Sequence, residues 1–148
     1  MGARFVGFTM LAVALWAGWA TAPRAMPTAE LIVVIDNLRS ADGDVRIALW
    51  RGADGFTEAD AALVTTARPA DPGRVYFKFE GLPPGRYAVA SYHDENGNGE
   101  FDRTWIGLPD EGLGFSNGAW IKLGPPAFEE AAVELTPESK VIVVSLRY

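Results

Sequence analysis

The chain has no cysteine. Disulfide staples, thiolate catalysis and thiolate metal sites are therefore excluded. It has one histidine, His93, so imidazole chemistry is confined to a single position. Positive charge is scarce as well. Thirteen Lys and Arg face 19 Asp and Glu, a net charge of −6 over 148 residues. An acidic surface repels phosphate backbones, so no nucleic-acid partner is expected. No G-x-S-x-G stretch is present, which removes the usual nucleophile elbow. Beyond the first 20 residues no apolar run reaches the length of a membrane span. The remainder is therefore expected to be soluble, with no transmembrane segment.

The N-terminal segment has its own pattern. Met1 to Arg4 is short and basic, Phe5 to Ala20 is uncharged and almost wholly apolar, and small residues follow at Ala20, Thr21 and Ala22. That order is the order of a secretory signal peptide. The apolar part is shorter than the roughly 20 residues of a spanning helix. Residues 1–25 are thus expected to be a signal peptide cleaved within 20–25, and the mature chain to be periplasmic or secreted. The absence of cysteine excludes a lipoprotein anchor. Cleavage after Ala25 would remove Arg4 and Arg24, lowering Lys plus Arg from 13 to 11 against 19 acids, a net charge of −8. That acidity suits cation binding. What remains is long enough to bury a core without disulfides.

From residue 28 onward, alternating β-branched and aromatic segments are separated by turn signals. Strands are expected over Ala29–Leu38, Asp44–Trp50, Leu63–Ala67, Arg74–Phe79, Arg86–His93, Trp120–Leu123, Ala131–Leu135 and Lys140–Arg147. A hairpin through Asp42-Gly43 is expected to join the first two. Residues 103–118, rich in glycine, read as irregular. Helical turns fit only Glu58–Val64 and Phe128–Ala132. The fold class is therefore all-β, a single antiparallel sandwich of seven to eight strands over residues 28–148.

The segment with the most specific chemistry is His93-Asp94-Glu95-Asn96-Gly97-Asn98-Gly99-Glu100-Phe101-Asp102. Counted from Asp94, oxygen-bearing side chains stand at positions one, three, five and nine. A glycine stands at six, where a calcium loop turns sharply, and Glu100 at seven offers its backbone carbonyl. Position twelve, where a bidentate Glu belongs, is Trp105. A whole EF-hand is rejected and its first half survives, with Asp110 or Glu111 able to replace the missing ligand. The predicted metal set is Asp94, Asn96, Asn98, Glu100, Asp102 and Glu111, binding calcium on the order of 10⁻⁴ to 10⁻³ M. The plain alternative is a polar turn, since Asn-Gly occurs twice and Asx side chains bond their own backbone. Both readings stand at this point. His93, ending a strand, reads as packed rather than catalytic. Phe115 and Trp120 read as plugs for one end of the core, with a recognition surface as the alternative.

In order along the chain, Gly43-x-Val45-x-x-Ala48-Leu49, Phe79-x-x-Leu82-Pro83-Pro84-Gly85-x-Tyr87-Ala88-Val89, the acidic loop, Gly107-x-Pro109-x-Glu111-Gly112-x-Gly114-Phe115-Ser116-Asn117 and Gly124-Pro125-Pro126-x-Phe128 resemble the bacterial family called domain of unknown function 2141. The resemblance spans about residue 30 to 148. It implies an immunoglobulin-like or prealbumin-like sandwich, an exported location and no assigned activity. It also sets the acidic loop beside Glu111–Asn117 as a second signature region. From this, one shared site is expected, with Glu111 or Asn117 completing a cation shell. The leading expectation is a non-enzymatic binding or envelope-structural module with weakly bound calcium as its only cofactor. A glycan or an envelope protein would be its partner. The second is a carbohydrate- or peptide-binding module using Trp105, Phe115 and Trp120. The third is a small hydrolase using His93, Asp94 and Glu111.

Overall fold

Valine, isoleucine and aromatic side chains at every second position favour extended backbone, because alternate residues then share one buried face. The computed structural model describes residues 27–148. The expected signal peptide, 1–25, lies outside the described residues. Eight strands form: β1 (Ala29–Asp36), β2 (Asp44–Trp50), β3 (Val64–Pro69), β4 (Val75–Leu82), β5 (Gly85–Asp94), β6 (Gly112–Phe115), β7 (Val133–Leu135) and β8 (Lys140–Ser145). The one α-helix among the described residues is α1 (Phe128–Ala131), and short 3₁₀ turns occur at Ala59–Ala61 and Ser116–Gly118. Both helical positions read from the sequence are therefore helical turns.

One sheet has the order β4-β1-β8, and the other β3-β2-β5-β6, with β7 pairing the start of β5. Their inner faces meet. Leu31, Val33 and Ile35 of β1, Phe77 and Phe79 of β4 and Val144 of β8 pack against Val45, Ile47 and Leu49 of β2 and Tyr87 and Val89 of β5. Each such side chain contributes about 1.5–3 kcal/mol on full burial. The all-β sandwich is thus the architecture of the described residues.

Three expectations are corrected. The sandwich is not wholly antiparallel, because β1 and β8 pair in parallel from Leu31↔Lys140 to Asp36↔Ser145. Parallel neighbours need a long crossover, and here nearly the whole domain supplies it. The expected Asp42-Gly43 hairpin does not form either, since β1 and β2 lie in different sheets. Gly43 takes φ +64°, and a Cβ there would collide with the Asp94 carbonyl oxygen, so the segment is a close crossing between sheets. Finally, residues 112–115 are a strand within the stretch read as irregular, while 120–123 are not. A Cβ on Gly114 would lie 2.8 Å from the Ser145 carbonyl oxygen, so glycine lets β6 approach the end of β8. Just beyond, Leu113 and Arg147 exchange two backbone hydrogen bonds of 2.9 Å. This bridge joins the edges of the two sheets.

A second apolar cluster covers part of the outer face of the larger sheet. Ala88 of β5, Leu113 and Phe115 of β6 and Phe128 and Ala131 of α1 form it, with Phe56 and Trp120 packed alongside. The buried Ser116 hydroxyl fastens this layer, accepting from Val89 N at 2.8 Å and donating to Ala131 O at 2.6 Å.

Candidate functional site

Asp94 ends β5 on the outward side of the larger sheet, yet its side chain is fully buried. Its partners explain that. Oδ1 accepts from Asn98 N at 3.1 Å, and Oδ2 accepts from Gly99 N at 2.9 Å and from Arg46 Nε at 2.7 Å. Burial alone would raise its pKa, but the Arg46 hydrogen bond and the Gly99 amide outweigh it and hold the carboxyl below its ordinary value. The neighbouring Glu95 is held low by Arg39, whose Nε donates to Oε1 at 2.8 Å, against a smaller burial penalty.

The rest of the loop is a chain of Asx turns. Asn96 Oδ1 accepts from Asn98 N and Asn98 Oδ1 from Glu100 N, each at 2.8 Å. The two side-chain amides converge on Asp102 Oδ2, at 2.6 Å from Asn96 and 3.0 Å from Asn98. Asp102 N donates to Glu111 Oε2 at 3.1 Å. Asp94, Asn96, Asn98 and Asp102, with Glu111 from the following segment, are therefore brought into one hydrogen-bond network. Glu100 takes part through its backbone amide, and its side chain is exposed on the rim. The carbonyl oxygens of both Asn side chains are used by backbone amides, and the cation on Asp94 is Arg46. Among the described residues no three His, Asp or Glu groups stand as a metal-holding set.

Glu111 is the exception to this self-sufficiency. It is 4% exposed, and its Oε1 has no hydrogen-bond partner among the described residues. Burial raises its pKa. The Asp102 amide and, less, the Glu95 amide ease that, and the charges of Asp102 and Asp94 add to it.

The other predicted residues fall elsewhere. His93 is fully buried, with Nδ1 2.8 Å from the Tyr148 hydroxyl and Nε2 2.7 Å from the Asp42 carbonyl oxygen, so both ring nitrogens are occupied. Asn117 bonds Glu130 O and does not join the acidic network. Phe115 is buried in the outer cluster, and Trp120 lies half-buried with the Arg147 guanidinium 4.8 Å from its ring centre. Trp105 alone is open, 96% exposed on a turn closed by Gly107 N to Thr104 O at 2.8 Å. The three aromatics thus form no shared surface.

A groove that sequence reasoning missed lies beside the loop. Across the outer face of the larger sheet, one row runs Ala67–Arg46–Tyr92–Leu113 and the next Thr65–Ala48–Ala90–Phe115. Ala48 and Ala90 are direct partners, with Arg46 and Tyr92 on one side and Trp50 on the other. Two methyl groups thus form the floor of a cavity of about 660 Å³. The acidic loop contributes Gly99, Glu100 and Phe101 as one wall, continued by Arg103 just after it, and Thr57 and Ala59 line another part. Thr57 holds φ +75°, a conformation rarely adopted by a β-branched residue. The signal available in the sequence was the pair of alanines at outward strand positions, since alanine is depleted in strands.

Comparison with known proteins gives one match. The family described as "Uncharacterized protein conserved in bacteria (DUF2141)" matches over residues 33–143. No curated protein and no solved structure matches. The match covers most of the chain, and the chain belongs to this family.

Proposed function

We propose that this member of the DUF2141 family is an exported, non-catalytic binding module that takes a small molecule into the groove over Ala48 and Ala90. The observation that carries the reading is the groove itself. Two alanines stand opposite one another between bulky neighbours and leave open a space that larger side chains would fill. The volume of about 660 Å³ lies within the range of small-ligand pockets. The strained Thr57 on its lining fits as well, because strain of this kind gathers at ligand clamps. A binding role is favoured over a hydrolytic one because His93 is sealed in the core with both nitrogens engaged. Export rests on the basic, apolar and small order of residues 1–25. Filling the groove tests the reading. In a melting-temperature screen of apolar, sugar and carboxylate compounds, the native chain is expected to be stabilised by at least one class. Ala90→Leu should fold and respond to none. A native chain that responds to nothing, or an Ala90→Leu variant that responds equally, overturns the proposal. A ligand at 100 times its Kd stabilises by about 2.7 kcal/mol, well within reach of such a screen.

A second reading, weak calcium binding at the loop, is favoured by Glu111 alone. Its buried Oε1 has no partner within hydrogen-bond distance among the described residues and stands beside Asp102, an arrangement a cation would satisfy. Calcium titrated to millimolar concentration should then raise the melting temperature, and Glu111→Gln or Asp102→Asn should remove the rise. An unchanged melt in native protein sinks this reading and leaves the groove untouched.

A further inference from the structure

The polar groups of the groove narrow the ligand, an inference that rests on the groove being a binding site. We infer that the ligand is an amphipathic organic anion, with an apolar body on the Ala48–Ala90 floor and a single carboxylate or sulfonate head on Arg46. A guanidinium offers two edges. On Arg46 the Nε is spent on Asp94 Oδ2 at 2.7 Å, while the Nη pair has no acceptor among the described residues. Arg46 lines the groove with a third of its side chain exposed. The free end is a planar fork, and its geometry matches a carboxylate taken by two parallel hydrogen bonds. Asp94 fixes the side chain from below. It is fully buried and tied to the Asn98 and Gly99 amides, so Arg46 is held in place before any ligand arrives.

The surrounding side chains set the rest of the class. Arg103 lines the same groove, its guanidinium 5.1 Å from the Phe101 ring centre, and adds a second positive charge. Glu100 on the same wall opposes a second acidic group, which favours one anionic head over two. The floor of alanine methyls favours an apolar body, because a sugar laid there would bury hydroxyls without partners. Sugar recognition also wants an open aromatic plane, and none of the lining rings offers one. Phe101 carries Arg103, Tyr92 packs edge-on against Phe101 with ring centres 5.4 Å apart, and Trp50 and Phe115 are buried.

The test compares two fluorescent probes of similar ring structure, anionic 8-anilinonaphthalene-1-sulfonate and neutral N-phenyl-1-naphthylamine, on the folded full chain. The anionic probe is expected to saturate one site and to bind about tenfold tighter than the neutral one, the scale of one charge-assisted hydrogen bond. Arg46→Lys keeps a cation for Asp94 and removes the fork, so it should erase most of that preference. Arg103→Gln should weaken it and leaves the Asp94 network intact. Ala90→Leu should abolish both probes. Equal affinity for the two probes, or a preference unmoved by both arginine variants, overturns the anionic head. If Ala90→Leu still blocks both probes in that case, the groove stands. Binding unaffected by Ala90→Leu, or no saturable binding of either probe, overturns the groove as well.

Discussion

Two buried carboxylates joined by one hydrogen-bond network behave in opposite ways, and the difference lies in what each one touches. Asp94 has a cation as well as amides, and Glu111 has only amides, from Asp102 and more weakly Glu95, set against two negative neighbours. The pH dependence follows with opposite signs. The folded Asp94 binds its proton more weakly than the unfolded one, so its contribution is present above the ordinary aspartate value and is lost as pH falls through the lowered folded value. The folded Glu111 binds its proton more tightly. Its stabilisation is therefore present below the ordinary glutamate value and is lost as pH rises through the raised folded value. Asp94→Asn should cost about 1–3 kcal/mol at pH 7, since it leaves a partly exposed Arg46 beside a neutral group, and less in acid. Glu111→Gln should stabilise the metal-free protein at pH 7 and lose that advantage below pH ~4, where the glutamate is protonated in both states. Urea denaturation at three pH values reads both. A destabilised Glu111→Gln at pH 7 would show that its carboxylate is satisfied by groups other than those described.

At the scale of elements, the alternating strands were legible and the glycine-rich one was not. β2, β4 and β5 announce themselves because side chains of one face are large and apolar; β2 has the expected bounds, and those of β4 and β5 differ by one to three residues. β6 is Gly-Leu-Gly-Phe, and its two glycines outweigh the single strand-favouring Phe115. It is a strand because β5 and the chain after β8 supply hydrogen-bond partners and because glycine permits the close approach. The parallel partnership of β1 with β8 was hidden for a related reason. Local pattern reports an extended chain, not its neighbour, and the partner here is about a hundred residues away. The acidic loop shows the same limit. Its spacing marks Asp94, Asn96, Asn98 and Asp102 as neighbours, since Asx residues two apart curl the chain, whereas Glu111 comes from the segment after the loop and spacing does not choose it over Asp110. Arg46 comes from a strand 48 residues earlier and could be placed on Asp94 only by the register of β2 against β5, where Arg46 faces Tyr92 and Asp44 faces Asp94.

For the whole molecule, the decisive feature is the seam between the sheets. Leu146 is fully buried in the core, its amide donates to Asp36 O at 3.1 Å, and its carbonyl accepts from Asn37 Nδ2 at 2.6 Å. The next residue, Arg147, pairs with Leu113 across to the other sheet. One short segment therefore closes the parallel β1–β8 pairing and ties it to β6, which borders the groove through Leu113 and Phe115. Leu146→Ala should cost about 2–5 kcal/mol, the range for a buried leucine truncated in a core that cannot collapse. Val143→Ala, on the outer face of the same sheet and half exposed, should cost much less. The contrast separates seam from strand. If closure of the seam also holds β6 in place, Leu146→Ala measured well below its unfolding transition should weaken groove binding of the anionic probe, while Val143→Ala should not. Equal probe affinity in the two variants would mean that β5 alone positions β6, and that the groove is built by the larger sheet without help from the smaller one.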